Sequence, residues 1–382
     1  MNQKHIVTTA YYLTFIVLGS LVAAEGPTLP KLAEHTSSRL DQVSLIFFFG
    51  SLGYLLSSYF SGRLYDRVSG HQLMTGALIV MGVIAALVPI ASALWALVLI
   101  VLILGLAKGT LDVGGNALLL WVHNEKVGPF MNGLHAFYGI GAFLSPLVAA
   151  RVIAGTGDIH WVYWSFAFAT LPVGLFIWNL PSPQPRATPE KHKNSAFPII
   201  PVVVMALCFT LYVGGEAGYG SWIYTYALTL GLETNVTAAY VTSAFWGFFT
   251  IGRVLGIWVS TFAQPKTILF LDFAGCLTSL GLILLFRESK TVLWIGSIFF
   301  GISQASIFPT LLTLAEERIH VTGAITGWFL VGSSLGAMIL PWSIGQAFVR
   351  LGAGSMMMII FFDMLFCMLI LWLFTRITVH TK

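Results

Sequence analysis

The chain has 382 residues, of which 57% are hydrophobic and only 9% are charged, and its mean hydropathy is +0.87. Soluble globular domains carry about 25% charged residues, so this composition excludes an ordinary soluble enzyme and a disordered tail. The net charge of +4 is spread over short polar segments, which excludes the basic groove of a nucleic-acid-binding protein. The composition therefore predicts a chain that lies mostly within a lipid bilayer.

Twelve apolar segments follow one another along the chain. A helix needs about 20 apolar residues to cross a hydrocarbon core that is about 30 Å thick, and each segment is long enough. Transmembrane strands would appear as alternating segments of about ten residues, and none is visible. We therefore predict an all-α membrane protein with twelve transmembrane helices. The predicted spans are residues 7–28, 41–61, 72–92, 94–118, 129–151, 159–180, 197–227, 237–262, 267–287, 291–315, 322–348 and 354–376.

The basic residues indicate the orientation of these spans. If the N-terminus is cytoplasmic, 11 of the 19 lysine and arginine residues fall in inside loops and 6 in outside loops. Because basic residues concentrate in cytoplasmic loops, this distribution predicts that both termini are cytoplasmic. We expect an integral membrane protein of a bacterial inner membrane.

A polar, proline-rich stretch near the middle of the chain predicts a division into two halves. The predicted units are an N-terminal six-helix half (1–180), a cytoplasmic linker (181–196) and a C-terminal six-helix half (197–382). Such halves, related as a parallel repeat, are the arrangement of the major facilitator fold, in which substrate binds near the midplane between them. Three pairs of positions match across the halves at offsets of 191 to 196: Glu25 with Glu216, Gly105 with Gly301, and Gly141 with Gly336.

The segment between spans 2 and 3 resembles the major facilitator loop motif G-x-x-x-D-R-x-G-R-[RK]. Gly62, Asp66 and Arg67 match it, one extra residue precedes Gly70, and His71 stands where the motif has a basic residue. One interpretation is a latch between the halves, with Asp66 near a helix N-terminus or a cationic partner. The alternative is that these charges only set the topology.

Polar residues in spans 4 and 5 predict a cation site, because ionisable groups inside a membrane are costly and usually functional. Asp112 and Asn116 share one face of span 4 with Lys108, and span 5 carries Asn132 and His135. A carboxylate with amide oxygens suits Na⁺, and a buried carboxylate alone suits a proton. In the alternative, Lys108 and Asp112 only neutralise each other, and His135 only packs.

We take Asp112 as the first candidate for the coupling cation, with Asn116 or Asn132 beside it. Glu25 in span 1 is the second candidate, although it could instead lie at the membrane interface.

Span 7 carries Glu216 among four glycines, which weaken a helix interior and free backbone groups beside a polar cavity. Tyr212 and Tyr219 share the face of Glu216, a combination that predicts a sugar site. The alternative is close helix packing by the glycines. Trp246 in span 8 and Gln304, at the repeat position of Lys108, are further sugar candidates.

Three segments resemble sodium-dependent glucose transporters of the major facilitator superfamily. They are residues 111–116, which match L-D-x-G-x-N, residues 128–146 of span 5 and residues 212–222 of span 7. The chain resembles fucose/glucose/galactose–proton symporters more loosely, with acids in spans 1 and 4 as at Glu25 and Asp112. The resemblance implies uptake of a hexose-like sugar coupled to Na⁺ or H⁺.

We therefore expect a monomeric secondary transporter that works by alternating access. Its predicted sugar ligands are Asn116, His135, Glu216, Tyr219, Trp246 and Gln304. The chain lacks the G-x-x-x-x-G-K-[ST] motif and any metal-ligand or nucleophile constellation. We accordingly expect no enzymatic activity, no cofactor beyond the coupling ion and no nucleic-acid partner. The alternative is a proton-coupled exporter of drugs or metabolites on the same fold, which the polar faces of spans 4, 5, 7 and 10 disfavour.

Overall fold

The computed structural model describes residues 3–184, 198–319 and 321–377. Within these ranges, twelve helices are long and apolar enough to cross a membrane, and there is no strand. These twelve helices coincide with the twelve predicted spans, so the prediction of an all-α membrane protein is confirmed.

The chain forms two compact units, residues 1–191 and residues 192–382, and each unit contains six of the spans. The boundary falls inside the predicted linker, of which residues 185–196 lie outside the described residues.

The N-terminal unit contains two interrupted spans. Span 1 changes helix at Ala24 and span 2 at Ser44, while a single 3₁₀ turn, Val88–Ile90, ends span 3. The helices are, in order, α1 (Gln3–Ala23), α2 (Glu25–His35), α3 (Leu40–Val43), α4 (Leu45–Tyr65), α5 (Gly70–Leu87), α6 (Leu94–His123), α7 (Gly128–Thr156) and α8 (His160–Trp178).

The C-terminal unit has one interrupted span, because Ser306 separates the two helices of span 10. The Ser306 hydroxyl donates to Asp272 Oδ2 at 2.5 Å. The helices are α9 (Ile199–Thr229), α10 (Asn235–Val259), α11 (Pro265–Leu285), α12 (Lys290–Ala305), α13 (Ile307–Arg318), α14 (Gly323–Leu351) and α15 (Gly354–Ile377).

The same pairs of spans pack together in both units. In the N-terminal unit the main pairs are α1 with α7, α4 with α6, and α5 with α8. Their counterparts in the C-terminal unit are α9 with α14, α10 with α12, and α11 with α15. This correspondence confirms that the two six-helix halves are pseudo-symmetric repeats.

Matching glycines permit the close approach of these helix pairs. A Cβ atom added at Gly141 or Gly336 would overlap a carbonyl oxygen of α1 or α9, respectively. A Cβ at Gly105 or Gly301 would likewise lie closer than 3.0 Å to a carbonyl oxygen of α4 or α10. Small residues at helix interfaces let backbones approach in this way, so the repeat seen in the sequence is a repeat of helix contacts.

The glycines of span 7 also permit close helix packing, and they do not break the helix. Helix α9 is continuous from Ile199 to Thr229, which differs from the loosened helix that the sequence predicted. Gly214 faces Leu340 of α14, and Gly218 faces Ile344 one turn further along. Tertiary packing against α14 offsets the low helix propensity of glycine, so the close-packing alternative accounts for these residues.

We expect Gly336→Ala to destabilise the protein by about 1–3 kcal/mol, since overpacking forces helices apart. The measurement is thermal unfolding in detergent. The matched control is Gly327→Ala on the same helix, where an added Cβ meets no atom within 4 Å. Equal unfolding temperatures for the two variants would contradict the close-contact explanation.

Candidate functional site

The carboxylate of Asp112 is held by two neutral side chains. The Tyr54 hydroxyl of α4 donates to Asp112 Oδ2 at 2.6 Å. Asn116, one turn further along α6, donates from Nδ2 to the Asp112 carbonyl oxygen at 2.8 Å and lies 3.4 Å from Oδ1. In the described part of the chain, no cationic group forms a salt bridge with Asp112.

Lys108 pairs with Glu25 and not with Asp112. Its ammonium lies 2.5 Å from Glu25 Oε1 and also donates to the Leu21 carbonyl oxygen at 3.3 Å. The Lys108 side chain is only 7% exposed, and Glu25 lies in the first turn of α2, where the helix dipole favours a negative charge. The alternative in which Lys108 neutralises Asp112 therefore does not hold. Glu25, the second coupling candidate, already has its charge matched.

Asn132 and His135 lie on α7, whereas the hydrogen bonds described for the Asp112 carboxylate come from Tyr54 and Asn116. Asn132 is exposed, and His135 is half-buried with its ring edge against Phe15 at a centroid distance of 6.0 Å. Asn132 as a cation ligand and His135 as a sugar ligand stay predictions.

A second carboxylate, Glu216, has an equivalent arrangement in the C-terminal unit. The Tyr212 hydroxyl, one turn earlier on α9, donates to Glu216 Oε2 at 2.6 Å. The Arg253 guanidinium on α10 acts electrostatically on both residues. Its Nε is buried without a hydrogen-bond partner in the described structure, and Cζ lies 4.7 Å from the centroid of the Phe249 ring. No salt bridge within 4.0 Å joins Arg253 to Glu216 among the described residues, so the arginine acts on this carboxylate from a longer distance.

Four predicted sugar ligands belong to the C-terminal unit, and three of them are buried, namely Tyr219, Trp246 and Gln304. The Tyr219 hydroxyl bonds to Ser297 Oγ at 2.7 Å, and its ring packs on Phe300 at 4.4 Å. Trp246 is buried, and Gln304 is fully buried with Nε2 3.6 Å from a methionine sulfur. Glu216, in contrast, is half-buried. A sugar role for Tyr219, Trp246 and Gln304 stays a prediction.

The loop motif has an exposed part and a buried part. Asp66 caps the C-terminus of α4, not a helix N-terminus, and its side chain is exposed like that of Arg67. His71 is buried, and both of its ring nitrogens have partners. Its Nδ1 donates to the Leu180 carbonyl oxygen at 2.9 Å, and its Nε2 lies 2.7 Å from the Tyr11 hydroxyl. It connects α5 with α1 and the end of α8. A latch at Gly62, Asp66 and Arg67 stays a prediction.

Sequence reasoning missed Tyr54 as the partner of Asp112. One signal was present, because the small residues Gly50, Gly53 and Ser57 mark the face of α4 that packs on α6. Tyr54 adjoins this stripe, so its hydroxyl reaches the polar face of α6.

Comparisons with known proteins agree with this architecture. A sequence profile of the Major Facilitator Superfamily matches residues 8–341. The chain belongs to the major facilitator superfamily. It is accordingly a membrane transporter and not an enzyme.

Two relatives match this major facilitator protein over most of its length. Sodium-dependent glucose transporter 1A of Mus musculus is 31% identical over 373 residues, covering 87% of this chain and 88% of the relative. Sodium-dependent glucose transporter 1 of Homo sapiens is 30% identical over 370 residues, covering 87% and 71%. Both relatives are mammalian, so a bacterial inner membrane stays a prediction. The cytoplasmic position of the two termini also stays a prediction.

Solved structures share the fold at low sequence identity. A D-xylose–proton symporter aligns with a TM-score of 0.81 at 14% identity over 97% of each chain. A nucleoside transporter aligns with a TM-score of 0.76 at 14% identity over 98% of this chain and 99% of that chain.

Lys108→Met should destabilise this transporter by about 3–5 kcal/mol, because it leaves the Glu25 carboxylate without its cation. The double variant Lys108→Met/Glu25→Gln should recover most of that loss in detergent unfolding. Lys31→Met, in the exposed Lys31–Glu34 pair, is the control and should change little. A double variant no more stable than Lys108→Met would show that the two charges are not coupled.

Proposed function

We propose that this protein is a cation-coupled transporter of a hexose-like sugar, with Asp112 as the coupling carboxylate and Glu216 as a sugar-binding carboxylate. One observation carries the proposal. Asp112 lies within a membrane span, and its described side-chain partners, Tyr54 and Asn116, are both neutral donors. An uncompensated charge in a membrane span is costly, so this position favours binding of a cation.

The cation would bind on the Oδ1 side of Asp112. The Tyr54 hydroxyl holds Oδ2 at 2.6 Å, whereas the contact of Asn116 Nδ2 with Oδ1 is long at 3.4 Å. Oδ1 can therefore accept a proton, or it can ligate Na⁺ together with the Asn116 amide oxygen after rotation of that side chain. The names of the relatives, which describe sodium dependence, favour Na⁺ for this chain.

The sugar would bind to Glu216 through its hydroxyl groups. Hydrogen bonds from neutral hydroxyls to a carboxylate are short and about twice as strong as those between neutral groups. Tyr212 orients the carboxylate by holding Oε2, which leaves Oε1 to accept from the sugar. A sugar role for Asn116 and His135 of the N-terminal unit stays a prediction.

Coupling follows from the difference in charge between the two states of Asp112. A bound cation neutralises the Asp112 carboxylate. It therefore stabilises the conformation in which this carboxylate is shielded from water. A ligand shifts a conformational equilibrium only by its difference in affinity for the two states. The cation gradient would thereby drive the sugar by alternating access.

Asp112→Asn should abolish gradient-driven sugar accumulation in proteoliposomes while equilibrium exchange continues, because the variant cannot change its charge. Uptake is measured with a Na⁺ gradient at fixed pH and, separately, with a pH gradient without Na⁺. The exposed carboxylate of Glu34 provides the control variant Glu34→Gln, which should behave as the wild type. Unchanged Na⁺ and pH dependence in Asp112→Asn would remove Asp112 from coupling.

Glu216→Gln should weaken sugar binding by about 1–3 kcal/mol, the cost of leaving buried polar groups poorly matched. The measurement is calorimetric titration with a panel of hexoses, again with Glu34→Gln as the control. An unaltered affinity would place the sugar elsewhere. If no sugar binds and lipophilic cations are extruded instead, the protein is an exporter.

A further inference from the structure

One oxygen of the Asp363 carboxyl group, Oδ2, is buried without a hydrogen-bond partner in the described part of the C-terminal unit. Asp363 lies on α15 and is only 6% exposed. Its Oδ2 is inaccessible and accepts no hydrogen bond in the described structure. No cationic side chain of the described residues acts on it. A carboxylate in this position needs one positive charge.

A second unpartnered oxygen belongs to Gln304, whose side-chain amide lies beside Gly215 of α9. Gln304 on α12 is fully buried, and its Oε1 has no donor among the described residues. A Cβ added at Gly215 would lie 3.1 Å from Asp363 Oδ2 and 3.6 Å from Gln304 Nε2. The carboxyl and the amide therefore share the space that the absence of a side chain at Gly215 leaves open.

The N-terminal unit shows what such a position requires. Gln304 occupies the repeat position of Lys108, at an offset of 196 residues. In the N-terminal unit, the Lys108 ammonium neutralises the carboxylate of Glu25. In the C-terminal unit, an uncharged amide replaces the ammonium beside another buried carboxyl group. The arrangement around Asp363 lacks one positive charge.

We propose that Asp363 and Gln304 form a proton-binding site within the C-terminal unit, distinct from Asp112. A hydronium ion from the solvent supplies the proton: one of its O–H bonds breaks to leave water, an O–H bond forms at Asp363 Oδ2, and the neutral acid then donates to the Gln304 amide oxygen. One proton thus supplies the missing charge and satisfies both unpartnered oxygens.

The surroundings suit a proton better than a metal cation. Ca²⁺ and Mg²⁺ take about six or more oxygen ligands, and among the described residues only the Asp363 carboxyl and the Gln304 amide offer oxygens without partners at this place. The remaining neighbours are soft or apolar, namely the Met364 side chain at Gly215 and the thiol of Cys367, one turn further along α15. The titratable groups that face this cluster from other helices are the thiols of Cys208 on α9 and Cys276 on α11, together with the Asp272 carboxyl beside Cys276.

Infrared difference spectroscopy of the purified protein tests the site directly. A protonated carboxylic acid has a carbonyl stretch that is separate from carboxylate bands and shifts in D₂O. Asp363→Asn, which is nearly isosteric with the neutral acid, should remove one acid's share of this band. Gln304→Lys, which recreates the Lys108 arrangement, should remove the same band with Asp363 still present. Glu34→Gln should leave it unchanged.

An unchanged acid band in Asp363→Asn and Gln304→Lys would overturn the proposal. A carboxylate signal at Asp363 that responds to exchange of Na⁺ for K⁺ at fixed pH would overturn it in favour of a sodium site. If Asp363→Asn does not fold, the Gln304→Lys spectrum decides alone. The readout requires no sugar, and Asp112→Asn should retain the Asp363 band, so failure of the proposed function and failure of this site are distinguishable.

Discussion

The cost of an unmatched charge inside a bilayer governs the polar part of this structure. Water does not reach the hydrocarbon core, so each ionisable group there needs a partner from a neighbouring helix or from a bound ion. Glu25 has a cationic partner in Lys108, whereas Asp112 is held by neutral donors and Asp363 Oδ2 has no hydrogen-bond partner among the described residues. Glu216 is intermediate, since a tyrosine holds it and an arginine acts on it from α10. The degree of neutralisation distinguishes the structural charge from the candidate binding groups.

Close helix packing brings these groups together. Glycines at α4–α6 and α9–α14 let the backbones approach, so polar side chains beside the contact reach the facing helix. Tyr54 reaches Asp112 because its helix packs so closely on α6. On α9, Gly215 leaves room for the Asp363 carboxyl, while the next residue, Glu216, points its carboxylate to Tyr212. The glycines of α9 therefore permit close packing and also leave room for polar groups.

The two repeats have diverged where they carry charge. Their helix pairs and their interface glycines correspond, which maintains the fold in both units. The position occupied by Lys108 in one unit is an amide, Gln304, in the other. Because packing tolerates this exchange of similarly long side chains, the two units can hold different polar sites on the same scaffold.

The sequence by itself determined the number of spans, their type, the repeat and which charges lie inside the membrane. Each of these is a local property of composition or spacing, and the bilayer thickness translates it directly into structure. It also named Asp112 and Glu216, because charged residues in apolar segments are few. The partners of these charges were decided only by tertiary structure. Lys108 lies one turn from Asp112 along its own helix, yet it pairs with Glu25 from another helix. Side-chain pairing depends on which faces of distant helices meet, and spacing within a single span carries no information about that.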